Sequence, residues 1–212
     1  MLNPKRAQEL IAAAKRGAPN LPVSVKTRLG YNKDILEEWL PALLAADPAA
    51  VVFHARTRKE MSKVPARWER VKRAVEIRNE LKSKTLIIGN GDAKDLEDAK
   101  LKAKESGADG VMLGHAIFGR PWLFAEPELP GQKSSGRFAQ PDYLSVQFRL
   151  RVLVEHTKLF EKLLGDIKSF AIMKKHFKAY CEGFPGAKEL RTRLMEAETA
   201  AGVENIVESF LK

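Results

Sequence analysis

A single cysteine in 212 residues, Cys181, excludes an internal disulfide and fits a reducing compartment, the cytoplasm. The four histidines, His54, His115, His156 and His176, are scattered, so no metal-ligand spacing is present. No apolar run approaches the length of a bilayer span, and the opening Met1-Leu2-Asn3-Pro4-Lys5-Arg6 lacks the apolar stretch of a signal peptide. Neither a repeat of fixed period nor a low-complexity segment occurs. Acidic residues are also in deficit, 27 against 37 Lys and Arg, for a net charge of +10. That sign favours a polyanionic partner, because basic side chains that neutralise phosphates release condensed counterions. The alternative is a basic but inert surface. A membrane-surface role is disfavoured, since no helix joins a strongly apolar face to a basic one.

What is present is a chain long enough to bury a core, with 44% apolar and 30% charged residues. Short apolar runs bounded by turn residues predict strands over Pro22 to Arg28, Ala50 to His54, Thr85 to Ile88 and Gly110 to Leu113. Helical patterns alternate with them. The first opens the chain from Pro4 to Lys15, with Asn3 as N-cap and proline at the first helical position. A second starts near Asp34 with the stripe Ile35, Leu36, Trp39, Leu40, Leu43 and Leu44. A third runs from Ala66 to Lys82 with Val71, Ala74, Val75, Arg78 and Leu81 on one side. A fourth follows Asp92, carries Leu96, Ala99 and Ala103, and stops at Gly107. Strands alternating with single helices imply an α/β fold of parallel βαβ units. On pattern alone a doubly wound sheet and a (β/α)8 barrel both remain open.

Residues 125–140 change character, with Pro127, Pro130, Gly131, Ser134, Ser135 and Gly136 close together. Beyond Pro141 only helical patterns follow: Asp142 to Leu164, Asp166 to Glu182, Ala187 to Met195 and Val203 to Leu211. The expected organisation is an α/β domain over 1–130, a linker over 131–140 and an all-α domain over 141–212.

The chemistry gathers at the carboxyl ends of the strands, where parallel α/β architectures hold their ligands. Alternation along the first strand puts Lys26 and Arg28 on one face and Val23 and Val25 on the other. The second strand ends at His54, followed by Arg56 and Arg58; the third ends in Gly89-Asn90-Gly91-Asp92 and the fourth in Gly114-His115. Glycines let backbone N–H groups approach an anion, and a following helix N-terminus adds a favourable dipole. The glycine pair is no dinucleotide fingerprint, because Lys94 stands where a third glycine would fall. It reads equally as a tight strand-to-helix turn, Lys26 as a solvated lysine and His54 as a hydrogen-bonded core histidine. Cys181 reads as a packing residue.

Taken in order, Val23-Ser24-Val25-Lys26-Thr27-Arg28, His54-Ala55-Arg56-Thr57-Arg58, Ile88-Gly89-Asn90-Gly91-Asp92 and Gly110-Val111-Met112-Leu113-Gly114 resemble the tRNA-dihydrouridine synthase family. Gly119-Arg120-Pro121-Trp122-Leu123-Phe124 is similar to the family's barrel-closing segment, and Met173-Lys174-Lys175-His176 with Tyr180, Gly183 and Ala187 to Arg191 to its helical domain. The resemblance implies the last four units of a TIM barrel followed by a helical tRNA-binding domain. It implies FMN, reduced by NADPH, passing hydride to a tRNA uridine to give 5,6-dihydrouridine, with a cysteine as general acid. The uridine must leave its stack to reach the flavin.

Carried onto matching positions, Lys26 and His54 would contact the flavin and Arg28 the uracil edge. Asn90, Gly91, Asp92, Gly114 and His115 would form the rest of the cofactor site, where the family usually has arginine in place of His115. Arg56, Lys174, Lys175, Arg191 and Arg193 would face substrate or tRNA. The family's first four strands, with the Asn-x-Gly-Cys-Pro segment bearing the catalytic cysteine, have no counterpart in these residues. Cys181 maps to the helical domain and cannot stand in. No catalytic residue is therefore assigned, and the expectation is a fragment that would pair with a complementary N-terminal half-barrel or with itself. Two other readings stand beside it: a non-catalytic RNA-binding derivative of the family, and another flavin- or phosphate-binding barrel enzyme.

Overall fold

A computed structural model describes residues 1–124 and 145–212 and divides the chain into two compact units, Met1–Ala116 and Ile117–Lys212. The linker expected over 131–140 and the boundary expected near 130 lie outside the described residues.

The first unit runs α1 (Pro4–Gly17), β1 (Ser24–Arg28), α2 (Leu36–Leu44), β2 (Ala50–His54), α3 (Trp68–Glu80), β3 (Leu86–Asn90), α4 (Leu96–Ser106) and β4 (Gly110–Met112). A short 3-10 turn, His115–Ile117, follows. Local chemistry sets the helix ends. Asn3 accepts from the Arg6 N–H at 2.9 Å ahead of Pro4, so α1 begins where the sequence predicts. Asp95 caps α4 through the Asp98 N–H at 2.8 Å, and α4 ends at Gly107 in the left-handed region. Asp34 does two jobs: it accepts from the Leu36 N–H and grips Arg70 of α3 at 2.7 and 3.0 Å, tying α2 to α3.

The four strands are all parallel and lie in the order β1-β2-β3-β4. With the right-handed crossovers that parallel βαβ units follow, each connection steps the same way and sets the intervening helices on one face of the sheet. Consecutive helices pack on one another accordingly. A doubly wound sheet would place helices on both faces, so that alternative is excluded. This is the arrangement of a (β/α)8 barrel reduced to four units. The helix-facing side holds the core, in which Leu36, Leu40, Val51, Phe53, Val71 and Ile87 are sealed from solvent. The opposite face presents Leu86 and Met112, 48% and 37% exposed.

Two sequence expectations are corrected here. The third strand extends to Asn90 instead of stopping at Ile88, because the ladder pairs Phe53 with Gly89 and His54 with Asn90. Thr85 lies before the strand, its hydroxyl donating to the Pro48 carbonyl at 2.8 Å. In the third helix Leu81 falls past the last turn and is 52% exposed, while Ile77 is buried in its place. Arg78, on the same side, donates to the Thr85 carbonyl and to Asp109.

The second unit is all-α among its described residues: α5 (Val146–Leu164), α6 (Ala171–Tyr180), α7 (Ala187–Glu196) and α8 (Ala200–Leu211). Helix α6 is shorter than the predicted 166–182, with turns over 165–167. Leu150, Leu153, Met173, Phe177, Leu190, Leu194 and Val203 form its core together with Cys181. Burial pushes the Cys181 thiol up to about 11, so it packs as an inert side chain. Among the described residues no helix is long and apolar enough to cross a membrane.

Candidate functional site

Register places Lys26, Val52 and Ile88 level across the sheet, and Arg28, His54 and Asn90 one step further toward its carboxyl edge. All six share the face that carries no helices. Because β2 separates β1 from β3, Lys26 must reach over roughly 9.5 Å of sheet to donate to Asn90 Oδ1, at 2.9 Å. Asn90 in turn donates through Nδ2 to the Met112 carbonyl at 2.7 Å. Three strand ends are thus laced together by side chains. Lys26 is nonetheless exposed, and burial of part of its stem, with Arg28 nearby, lowers its ammonium pKa.

Arg28 turns toward the loop after β2 and donates to the carbonyls of Thr57 and Met61 at 2.9 and 3.2 Å. That loop is held by Glu60, which accepts from the Thr57 N–H at 2.6 Å and from Arg67 at 2.9 Å. The Thr57 hydrogen bond keeps the Glu60 carboxyl below its ordinary range.

Arg56 is the buried member of the group, 5% exposed. Its Nε donates to the Val64 carbonyl at 2.6 Å, one terminal nitrogen reaches both Asp92 oxygens at 2.7 and 2.6 Å, and the other lies 3.1 Å from His54 Nε2. Asp92 also accepts from the Ala66 N–H at 2.8 Å. Burial opposes its ionisation, but the Arg56 and Ala66 hydrogen bonds outweigh that and lower its pKa. Expected to face the RNA, Arg56 instead spends its donors inside the protein.

The two glycines before Asp92 serve the fold directly. Gly91 has φ +121, and a Cβ there would sit 2.9 Å from Ala66 Cβ and 3.1 Å from His54 Cδ2. Gly89 lets α3 approach: a Cβ would lie 2.3 Å from Trp68 Cζ3, and the Trp68 indole donates to the Gly91 carbonyl at 2.9 Å. Gly89→Ala is expected to lower stability by about 1–3 kcal/mol through overpacking, read as a fall in the urea midpoint with altered Trp fluorescence. An unchanged midpoint would refute the packing role. Gly114 differs, since a Cβ there would meet nothing within 4 Å. Its backbone is therefore approachable from outside, beside His115 at the start of the 3-10 turn.

Lys26, Arg28, His54, Arg56, Asn90, Gly91 and Asp92 therefore converge at the ends of β1 to β3, and Asn90 links them to β4. Lys26, Arg28, Arg56 and Arg58 outnumber Asp92 and Glu60, so the site favours an anionic ligand.

In the second unit, Lys174, Lys175 and Arg191 line a groove of about 430 Å³ between α6 and α7, with Phe177, Thr192 and Met195. Lys178 and Lys188 line it too and were missed from sequence, although Lys178 falls one turn after Lys174 and Lys188 one turn before Arg191. Arg191 is partly committed, donating to the Cys181 carbonyl at 2.6 Å. Arg193 is exposed outside the groove lining.

A family model described as dihydrouridine synthase (Dus) matches residues 1–212. A probable tRNA-dihydrouridine synthase of Staphylococcus epidermidis is 38% identical over 99% of this chain, and one of Staphylococcus aureus strain MRSA252 is 37% identical over the same share. Probable tRNA-dihydrouridine synthase 2 of Bacillus subtilis is 36% identical over 98% of it. The chain spans 60% of the length of each of these relatives. With the match running the whole length of the sequence, the chain belongs to the dihydrouridine synthase family.

Proposed function

We propose that these residues are the C-terminal portion of an FMN-dependent, NADPH-reduced enzyme that converts uridine in tRNA to 5,6-dihydrouridine. The observation that carries this reading is the strand-end cluster, in which Lys26, held by Asn90, shares a face with His54 and Arg28. FMN, when bound, supplies the hydride. The Lys26 ammonium suits a cofactor that gains negative charge on reduction. Arg28 offers donors to the uracil edge, His54 contacts the flavin, and backbone groups at Asn90, Gly91, Gly114 and His115 hold the phosphate. Asp92 serves that site through its bonds to Arg56 and Ala66. The general-acid cysteine belongs to a complementary half-barrel, which would pair with the edges of β1 and β4 that are unpaired among the described residues and cover Leu86 and Met112. Self-association is the other way to cover that face. A cytoplasmic setting suits a tRNA substrate.

The groove between α6 and α7 contributes phosphate contacts. For Lys174→Ala and Lys178→Ala we expect weaker tRNA binding and a shallower plot of log affinity against log salt, by about 0.7–0.9 per lysine. Binding that is insensitive to salt would count against tRNA as the partner. The cofactor is tested by titrating the purified chain with FMN and following flavin fluorescence. Saturable binding that Lys26→Met weakens is the expected result. Salt-dependent tRNA binding without any FMN binding would favour a non-catalytic RNA-binding protein, for which the basic groove alone suffices.

A further inference from the structure

We infer that Arg56, anchored by Asp92, is a positioning residue that locks His54 as the Nδ1–H tautomer, leaving its ring a hydrogen-bond donor and never a base. A guanidinium has no acceptor, so any hydrogen bond between Arg56 and His54 Nε2 requires a lone pair on Nε2. The ring proton must then sit on Nδ1. Protonating Nε2 would aim one N–H at another.

The geometry leaves the guanidinium little freedom to turn away. Its Nε is fixed on Val64 and its second terminal nitrogen on both Asp92 oxygens, while Asp92 is held by the Ala66 N–H. Gly91 completes the arrangement, because only a residue without Cβ lets the imidazole edge lie against the turn. The charges facing the ring are Lys26 and Arg28 from β1, Arg56 from the loop after β2 and Asp92 after β3, three positive against one negative. Burial and these cations push the His54 pKa down to about 4. His54 therefore stays neutral well below pH 7.

The consequence for the site is directional. With Nε2 occupied, the nitrogen left for a ligand is Nδ1–H, and the ligand atom it meets is an acceptor. That a flavin supplies this acceptor rests on the functional reading above; the lock itself does not. His54 takes no proton in the reaction, and Arg56 is not among the groups offered to RNA.

Long-range proton–nitrogen NMR of the 15N-histidine-labelled full chain tests this directly, with His54→Asn used to assign the His54 ring. The expected spectrum shows the Nδ1-protonated pattern, unchanged between pH 5 and 8. In Arg56→Met both tautomers should appear, with the midpoint rising from about 4 while burial, Arg28 and Lys26 still hold it below the ordinary 6.5, and Arg56→Lys should restore the lock in part. An Nε2-protonated His54 in the unaltered chain, or one titrating near 6.5, overturns the assignment without recourse to a variant. The NMR result and the FMN titration separate two failures. A locked His54 in a chain that does not bind FMN would sink the flavin reading and leave the lock standing. FMN binding with His54 in the other tautomer would do the reverse.

Discussion

Phe53→Ala should destabilise the first unit by about 3–5 kcal/mol. The ring sits one residue before the carboxyl end of β2 with no solvent exposure, on the side of the sheet that faces the helices. It belongs to the same buried cluster as Leu36, Leu40, Val71 and Ile87, contributed by α2, α3 and β3. Truncation removes the transfer energy of the ring and also leaves a cavity, which a parallel sheet closes poorly because its ladder hydrogen bonds fix the strand spacing. The measurement is urea unfolding with hydrogen exchange: the midpoint falls and protection is lost across β1 to β3. A loss below about 1 kcal/mol would mean that the core collapses around the gap.

The second large effect is electrostatic. Asp92→Asn should cost about 3 kcal/mol, because removing one partner leaves the Arg56 charge buried and uncompensated. The Arg56 side chain is 6% exposed and that of Asp92 44%, which places the expected loss at the lower end for a buried pair. Asparagine isolates the charge, since Asp92 has φ +55 and asparagine tolerates that conformation. Arg56→Met combined with Asp92→Asn should be less damaging than Asp92→Asn alone, because the pair's desolvation cost disappears with it. The lowered Asp92 pKa makes the stability of the first unit depend on pH. A depressed carboxylate stabilises the fold above its unfolded pKa and loses that stability as pH falls through the folded value. The unaltered chain should therefore weaken on acidification in a way that Asp92→Asn does not. Equal acid sensitivity in the two would disprove this part.

Much of this architecture could be read from the residues, for local reasons. Asn3-Pro4 and Gly107 mark helix ends through interactions within a few positions, so α1 begins and α4 ends where expected, while the cap that starts α4 is Asp95, three residues beyond Asp92. Alternation along β1 joins Lys26 and Arg28 on one face, and the register with β2 keeps them there. What the sequence hid is long-range. Gly89 and Asn90 are poor strand formers, and only pairing with Phe53 and His54 draws them into β3. Arg56 is expected from the resemblance to face substrate or tRNA, and the carboxylate that holds it inside the protein lies 36 residues further on. Leu81 continued an apolar stripe that the helix itself did not. Helical spacing puts Lys178 on the Lys174 side of α6 and Lys188 on the Arg191 side of α7. Which cations α6 and α7 bring into one groove it does not say.

The side-chain bridge from Lys26 through Asn90 to the Met112 carbonyl has a thermodynamic consequence. A ligand that captures the Lys26 ammonium takes a donor away from Asn90 Oδ1, and the Asn90 side chain adds its own bond to the ladder that pairs β3 with the end of β4. Occupancy at one end of the sheet and the free energy of the turn at Gly114 are then linked, and the linkage is reciprocal. A group at that turn that displaced Asn90 would in return change the affinity of the lysine for its own partner by the same factor.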